Sequence, residues 1–186
     1  MTLPRRAFVT ACLTLPAAGW AAAEAGHEWR PWPAGRATPL LALPVLDGQP
    51  LALADLRGRA VLLNFWASWC EPCREELPSL ALLGERRAAD GLSVLAINVR
   101  EGSDAVRRFV QQQALTLPVL LDTDGAAARA FTPRIYPSTV FIGRDGRARG
   151  VLVGPIDWLG DEAGRLLAPL LAAAAPTQDR APAAAR

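Results

Sequence analysis

The sequence predicts an α/β domain with a central mixed sheet covered by helices on both faces, on three observations. Two short apolar runs, Ala60–Trp66 and Leu92–Val99, have the length and composition of fully buried strands. Between them Leu77, Leu80, Ala81 and Leu83 recur at helical spacing, which makes a strand-helix-strand unit. Late in the chain two strand-like runs flank Asp145-Gly146, a tight-turn pair, so part of the sheet is antiparallel.

At 186 residues the chain holds one domain with a substantial core, and its ends read differently from its middle. Met1 to Ala23 has the parts of an export signal: Arg5 and Arg6, an apolar stretch from Ala7, then small residues at Ala21, Ala22 and Ala23. Cleavage after Ala23 and retention as a membrane anchor both fit. The pair Arg5-Arg6 resembles a twin-arginine signal, with Pro4 where Ser or Thr is usual, and Cys12 reads as part of the signal. Export places the protein in the periplasm, and the membrane enters only through an N-terminus left uncleaved.

Residues 24–37, with several Pro and Gly around Trp29 and Trp32, show no helical or strand period and read as an extended linker, the alternative being that the two tryptophans dock on the domain or on a partner. The domain proper is expected over residues 38–173, and an Ala/Pro-rich, disordered tail over 174–186. Inside the domain, Leu40 to Leu46 and Pro50 to Leu53 flank Asp47-Gly48 and predict an opening hairpin. Gly58 precedes the first buried strand, and Gly91 closes the first helix before the second strand. A helix over Ser103 to Gln113, a short strand at Val119 to Leu121 and a small helix over Ala126 to Phe131 come next. Strands over Ser138 to Ile142 and Arg147 to Val153 follow, then a helix from Asp157 to about Ala173.

The net charge is +2, and removing residues 1–23 takes away two Arg and no acid, so the mature chain is near neutral. Without a concentrated basic run or face, nothing points to nucleic acid or to an anionic membrane surface.

The chemistry sits in Trp69-Cys70-Glu71-Pro72-Cys73-Arg74-Glu75-Glu76, where the first buried strand gives way to a helix. A thiolate at a helix N-terminus is stabilised by unpaired N–H groups and by the positive end of the helix dipole, and i,i+3 spacing lets a second thiol reach it. Cys70 is thereby a candidate nucleophile and Cys73 its resolver. Three plainer readings stand beside this one: a structural disulfide, two unrelated core cysteines, and a metal site. The first gains little from so short a loop. The last lacks ligands, since His27 is the only histidine and lies in the linker, so no metal is expected; on the redox reading the dithiol is itself the redox centre and no cofactor is implied. The same lack of a domain histidine removes a Cys-His hydrolase.

Phe65-Trp66-Ala67-Ser68-Trp69-Cys70-Glu71-Pro72-Cys73 resembles the active-site signature of the thioredoxin superfamily, in its exported TlpA/ResA-like branch. Pro78 resembles the superfamily's helix proline, Leu53 through Asn64 its lead-in, and the segment from Ser103 that branch's helix-strand insertion. The resemblance implies a thioredoxin fold and thiol-disulfide exchange with the dithiol as the whole redox centre. It implies that Pro137 is the cis-proline beside which an extended substrate segment docks, with Trp69 and Tyr136 lining the surface. Tyr136 is bulkier than the residue expected there. Asn64 stands where thioredoxin has a buried Asp, and Glu76 matches a carboxylate of the branch, a candidate general base whose alternative is a solvated helix side chain.

Glu71 and Pro72, between the cysteines, are expected to tune the redox couple. Oxidants of the superfamily carry His there, whereas the charge of Glu71 opposes a Cys70 thiolate, so the expected direction is reduction, with an exported thiol oxidase as the alternative. The implied partners are exported proteins with disulfides, such as apocytochrome c or metal-site cysteines, and a transmembrane thiol conduit that supplies electrons. Two other classes remain open: a thiol peroxidase, whose Thr/Pro pattern before the cysteine Ser68-Trp69 lacks, and a Cu(I)-binding assembly module on the same thiols.

Overall fold

The computed structural model describes residues 26–131 and 135–172; the expected signal over 1–23 and tail over 174–186 lie outside them. Strand β4 (Ala60–Trp66) is buried at every position, as a continuous apolar run requires when both sheet faces are covered. It pairs in parallel with β5 (Leu92–Val99), which pairs in parallel with β6 (Val119–Asp122). On its other side it pairs antiparallel with β7 (Ser138–Ile142), which forms a hairpin with β8 (Ala148–Val153). The sheet is completed by β1 (Glu28–Pro31) in the order β1-β8-β7-β4-β5-β6.

Alternate residues of β4 feed two cores. Leu62 and Trp66 face helices α1 (Glu71–Arg87), α2 (Ser103–Gln112) and α4 (Asp161–Ala172), through Leu77, Leu80, Phe109 and Leu167. Val61, Leu63 and Phe65 face α3 (Ala126–Phe131) and the opening hairpin β2 (Ala42–Leu43) and β3 (Leu51–Ala52), which forms a small sheet of its own. Each fully buried Leu contributes about 2 kcal/mol of apolar burial. The segment after β2 also covers the β6 edge, since Leu46 N–H donates to the Val119 carbonyl at 2.8 Å and Leu121 N–H to the Pro44 carbonyl at 2.9 Å.

The expected linker departs from its prediction. Residues 28–31 are not a spacer but an antiparallel edge strand on β8, with Trp29 opposite Leu152. The reason lies in the partner strand, because Gly150 leaves room for the Trp29 ring, which meets Phe141 edge-on at 5.0 Å. A Cβ on Gly150 would come within 2.3 Å of that ring. Trp32 packs on Phe131 at the opposite face, with the Arg36 guanidinium 4.6 Å above its ring. Pro31 is tolerated because an outer edge has no further ladder to feed.

The last helix begins at Asp161 rather than Asp157. Asp157 instead makes a turn, accepting the Leu159 N–H on its side chain at 2.9 Å and the Gly160 N–H on its carbonyl at 3.1 Å. That turn buries Trp158.

Candidate active site

Helix α1 starts where β4 ends. Cys70 is its N-cap, in extended conformation, and Pro72 occupies the first turn, where a missing N–H leaves no hydrogen bond unmade. Cys70 and Cys73 are joined in a disulfide, with Cα atoms 5.3 Å apart. Cys70 retains 6% of its surface while Cys73 retains none, so an incoming sulfur reaches Cys70 first.

Around the disulfide the structure gathers most of the expected residues. Trp69 is 71% exposed, and its ring meets Tyr136 at 6.4 Å in an edge-on contact. The Tyr136-Pro137 peptide is cis, and the following residue, Ser138, pairs with Phe65 at the end of β4. Burial pushes the Tyr136 phenol above its ordinary pKa. Glu71 points to solvent and pairs with Arg74 at 3.0 Å, so its charge is offset and screened and acts on Cys70 more weakly than the sequence suggests.

Glu75 is exposed but Glu76 is buried, one helical turn beyond Cys73. Its Oε1 accepts from Asn64 Nδ2 at 2.7 Å, and its Oε2 accepts from the Ile156 N–H and the Trp158 indole N–H, each at 3.3 Å. Asn64 Nδ2 also donates to Thr139 Oγ1 at 2.9 Å. Loss of hydration raises the Glu76 pKa to about 7, and the three donors hold it from going higher. A carboxyl titrating there can take or give a proton near neutral pH.

Several partners in this site were not singled out from the sequence. Ile156 and Trp158 reach Glu76 from the turn before α4, some 80 residues along the chain. Glu101, just past β5, accepts from Ser68 N–H, Ser68 Oγ and Asn98 Nδ2. Parallel neighbours β4 and β5 end at the same side of the sheet, so the loop after β5 was the place to look for such a partner. Among the described residues no group of three or more His, Cys, Asp or Glu is placed to hold a metal, and no helix is long and apolar enough to cross a membrane.

Comparison with known proteins places this arrangement. The AhpC/TSA family model matches residues 34–151. The thiol-disulfide oxidoreductase ResA of Bacillus subtilis (strain 168) is 35% identical over 120 residues, which is 64% of this chain and 67% of that protein. Among solved structures, a thiol:disulfide interchange protein of the thioredoxin family from Chlorobium tepidum aligns with a TM-score of 0.64 at 29% identity, covering 75% of this chain and 99% of that one. A disulfide oxidoreductase of Mycobacterium tuberculosis, described as secreted and homologous to DsbE of E. coli, aligns with a TM-score of 0.60 at 28% identity, over 70% and 96% of the two chains. With a disulfide at the N-terminus of α1 on a thioredoxin fold, the chain belongs to the AhpC/TSA family and is a thiol-disulfide oxidoreductase of the ResA and DsbE type.

Proposed function

We propose that this protein is an exported reductase of disulfides in other exported proteins. The observation that carries the direction is the carboxyl group of Glu76, buried one turn from the inner cysteine with no cation against it among the described residues, its contacts being the neutral donors of Asn64, Ile156 and Trp158. At and above about pH 7, where this group is ionised, its negative charge beside the dithiol disfavours the thiolate and so favours the disulfide, which makes the reduced form a stronger reductant.

In the reduced protein the Cys70 thiolate attacks one sulfur of a substrate disulfide held beside Pro137, and the other substrate sulfur leaves as a thiolate that takes a proton from solvent. Cys73 gives its proton to Glu76 and attacks the Cys70 sulfur, closing the Cys70–Cys73 disulfide and releasing the second substrate sulfur as a thiolate, to which the proton held by Glu76 returns. Two electrons pass to the substrate, and a membrane dithiol conduit restores them. Trp69 and Tyr136 flank the docking segment, with Pro72 holding the turn between the cysteines.

Export is supported by the Arg5-Arg6 signal pattern and by the secreted relative. The likeness to ResA supports thiol-disulfide exchange itself; substrates whose cysteines must stay reduced, such as apocytochrome c or metal-site cysteines, are what the resemblance to the TlpA/ResA-like branch implies. The test is the reduction potential of the Cys70/Cys73 couple, equilibrated against glutathione and dithiothreitol buffers. A value of about −270 mV or lower is expected; one near about −120 mV would reverse the direction of electron flow.

A further inference from the structure

The turn that delivers Cys70 is packed into the core at Ala67 but has few attachments at Ser68 and Trp69. Residues 67–69 run from the end of β4 to the start of α1, closed on themselves by the Cys70 N–H donating to the Ala67 carbonyl at 3.1 Å. Trp69 projects into solvent and its ring meets Tyr136 edge-on. Among the described residues the side-chain hydrogen-bond anchor of the turn is Glu101. Its Oε2 accepts the Ser68 N–H at 2.7 Å and its Oε1 accepts the Ser68 hydroxyl at 2.5 Å, so both donors of one residue are taken by one carboxylate. Asn98, buried at the end of β5, donates to the same Oε2 at 2.6 Å and fixes the carboxylate from behind.

A second observation points to the same place. Arg100, between Asn98 and Glu101, has φ of 60°, in the left-handed region that a non-glycine residue occupies at a conformational penalty. Its N–H is tied to the Asp122 carbonyl at 3.0 Å. The reversal at Arg100 keeps the residue after it beside the neighbouring loop instead of extending the strand. The strain is held in place by hydrogen bonds on both sides, which is the pattern found where backbone geometry serves a site.

We propose that Glu101 is a positioning residue for the dithiol: by clamping Ser68 it fixes where Cys70 enters α1 and where Trp69 faces an incoming segment. Glu101 acts through Ser68 and takes no part in the proton or electron transfers. The inference rests on the exchange reaction proposed above for its effect on rate, and on the hydrogen bonds alone for its effect on the loop.

The experiment compares Glu101→Ala, Ser68→Ala and the double variant with the parent protein by three measurements. Amide hydrogen exchange at Ser68 and Trp69 in the oxidised protein reads the clamp with no substrate present, and rises about tenfold or more in Glu101→Ala. The kcat/KM for a disulfide-bonded peptide falls about 10- to 100-fold, while alkylation of Cys70 in the reduced protein by iodoacetamide, which needs no alignment, changes less than about threefold. The double variant is no slower than Glu101→Ala, because both substitutions break one connection.

Unchanged exchange at Ser68 overturns the proposal, as does an equal fall in kcat/KM and in alkylation, which would mean general damage to the domain. A parent protein that reduces no disulfide sinks the reductase reading, and the clamp is then judged on amide exchange alone. Should Glu101→Ala not fold, Glu101→Gln serves, which keeps one acceptor for the Ser68 N–H and is expected to fall between the parent and Ala.

Discussion

Glu76 and Asn64 form a buried pair in which the amide donates to the carboxylate at 2.7 Å, one residue from α1 and the other from the central strand. This contact holds a carboxyl group inside the core within reach of neutral pH. Its consequence for stability has a definite sign. The folded-state pKa is raised from 4.5 to about 7, so the folded protein binds a proton that the unfolded chain releases. The stabilisation is complete below about pH 4.5 and is lost as pH rises to about 7, by about 3 kcal/mol in total. Urea unfolding of the oxidised protein at a series of pH values should show this decline in the parent and a flat profile through the same window in Glu76→Gln.

On the proposed mechanism the same titration governs the second half of the reaction. If Glu76 accepts the Cys73 proton, resolution of a preformed mixed disulfide accelerates as pH rises through about 7 and levels above it. Glu76→Gln should slow resolution about 100-fold at neutral pH and remove that inflection, with first attack by Cys70 little changed. Stopped-flow measurement of both steps separates them, and a Gln variant that keeps the inflection assigns it to another group.

On the proposed mechanism the small accessible fraction of Cys70, against none for Cys73, sets an order of attack that trapping can read. Cys73→Ala should accumulate a covalent complex between Cys70 and a disulfide substrate, visible on non-reducing gels and released by dithiothreitol. Cys70→Ala should be inactive and trap nothing. A complex trapped through Cys73 would reverse the assignment.

Trp69 offers its ring to solvent beside Tyr136, and on the proposed docking surface its loss falls on binding. Trp69→Ala should raise KM for a disulfide-bonded peptide about tenfold, worth roughly 1.4 kcal/mol. Its unfolding midpoint should stay near the parent's, because little of the side chain is buried. An unchanged KM would remove Trp69 from the surface.

The edge strand makes its own prediction. Trp29→Ala removes the ring that crosses Gly150, and should cost about 2 kcal/mol, below the value for a fully buried aromatic because 38% of the residue is already exposed. Gly150→Ala should act through the same contact, since its Cβ would also lie 2.8 Å from the Arg30 carbonyl oxygen. Amide exchange in residues 28–31 is expected to rise in both variants, and protection retained there would show that the strand holds without the ring.

Much of this architecture is written locally. Ala60–Trp66 and Leu92–Val99 are continuous apolar runs, and Asp145-Gly146 is a turn pair, so periodicity and turn chemistry were enough to place β4, β5 and the β7/β8 hairpin. The cysteines were legible for the same reason, because a strand-to-helix junction is a local pattern with a local electrostatic effect. Strand β1 was not, since its four residues carry no alternation and its pairing depends on a glycine far along the chain. The environment of Glu76 was equally hidden: i,i+3 spacing gives its distance from Cys73 along the helix, but its burial comes from Trp158, Ile156 and Asn64, brought in by tertiary packing. Glu101 shows a third case, in which chain topology alone puts two loops side by side.

Strand β1 also shortens the leash. It runs antiparallel to β8 and begins opposite Val153, next to Gly154, whose N–H donates to the Pro137 carbonyl at 2.9 Å. A Cβ on Gly154 would lie 3.1 Å from His27 Cα, so the incoming chain arrives on the same rim as the disulfide. A spacer over 24–37 could have carried the domain roughly 50 Å from the end of the predicted signal, whereas residues 24–27 reach about 14 Å at full stretch. If the N-terminus stays in the membrane, the dithiol is held close above the bilayer and faces its edge, where a reductant embedded there could meet it without a diffusing carrier.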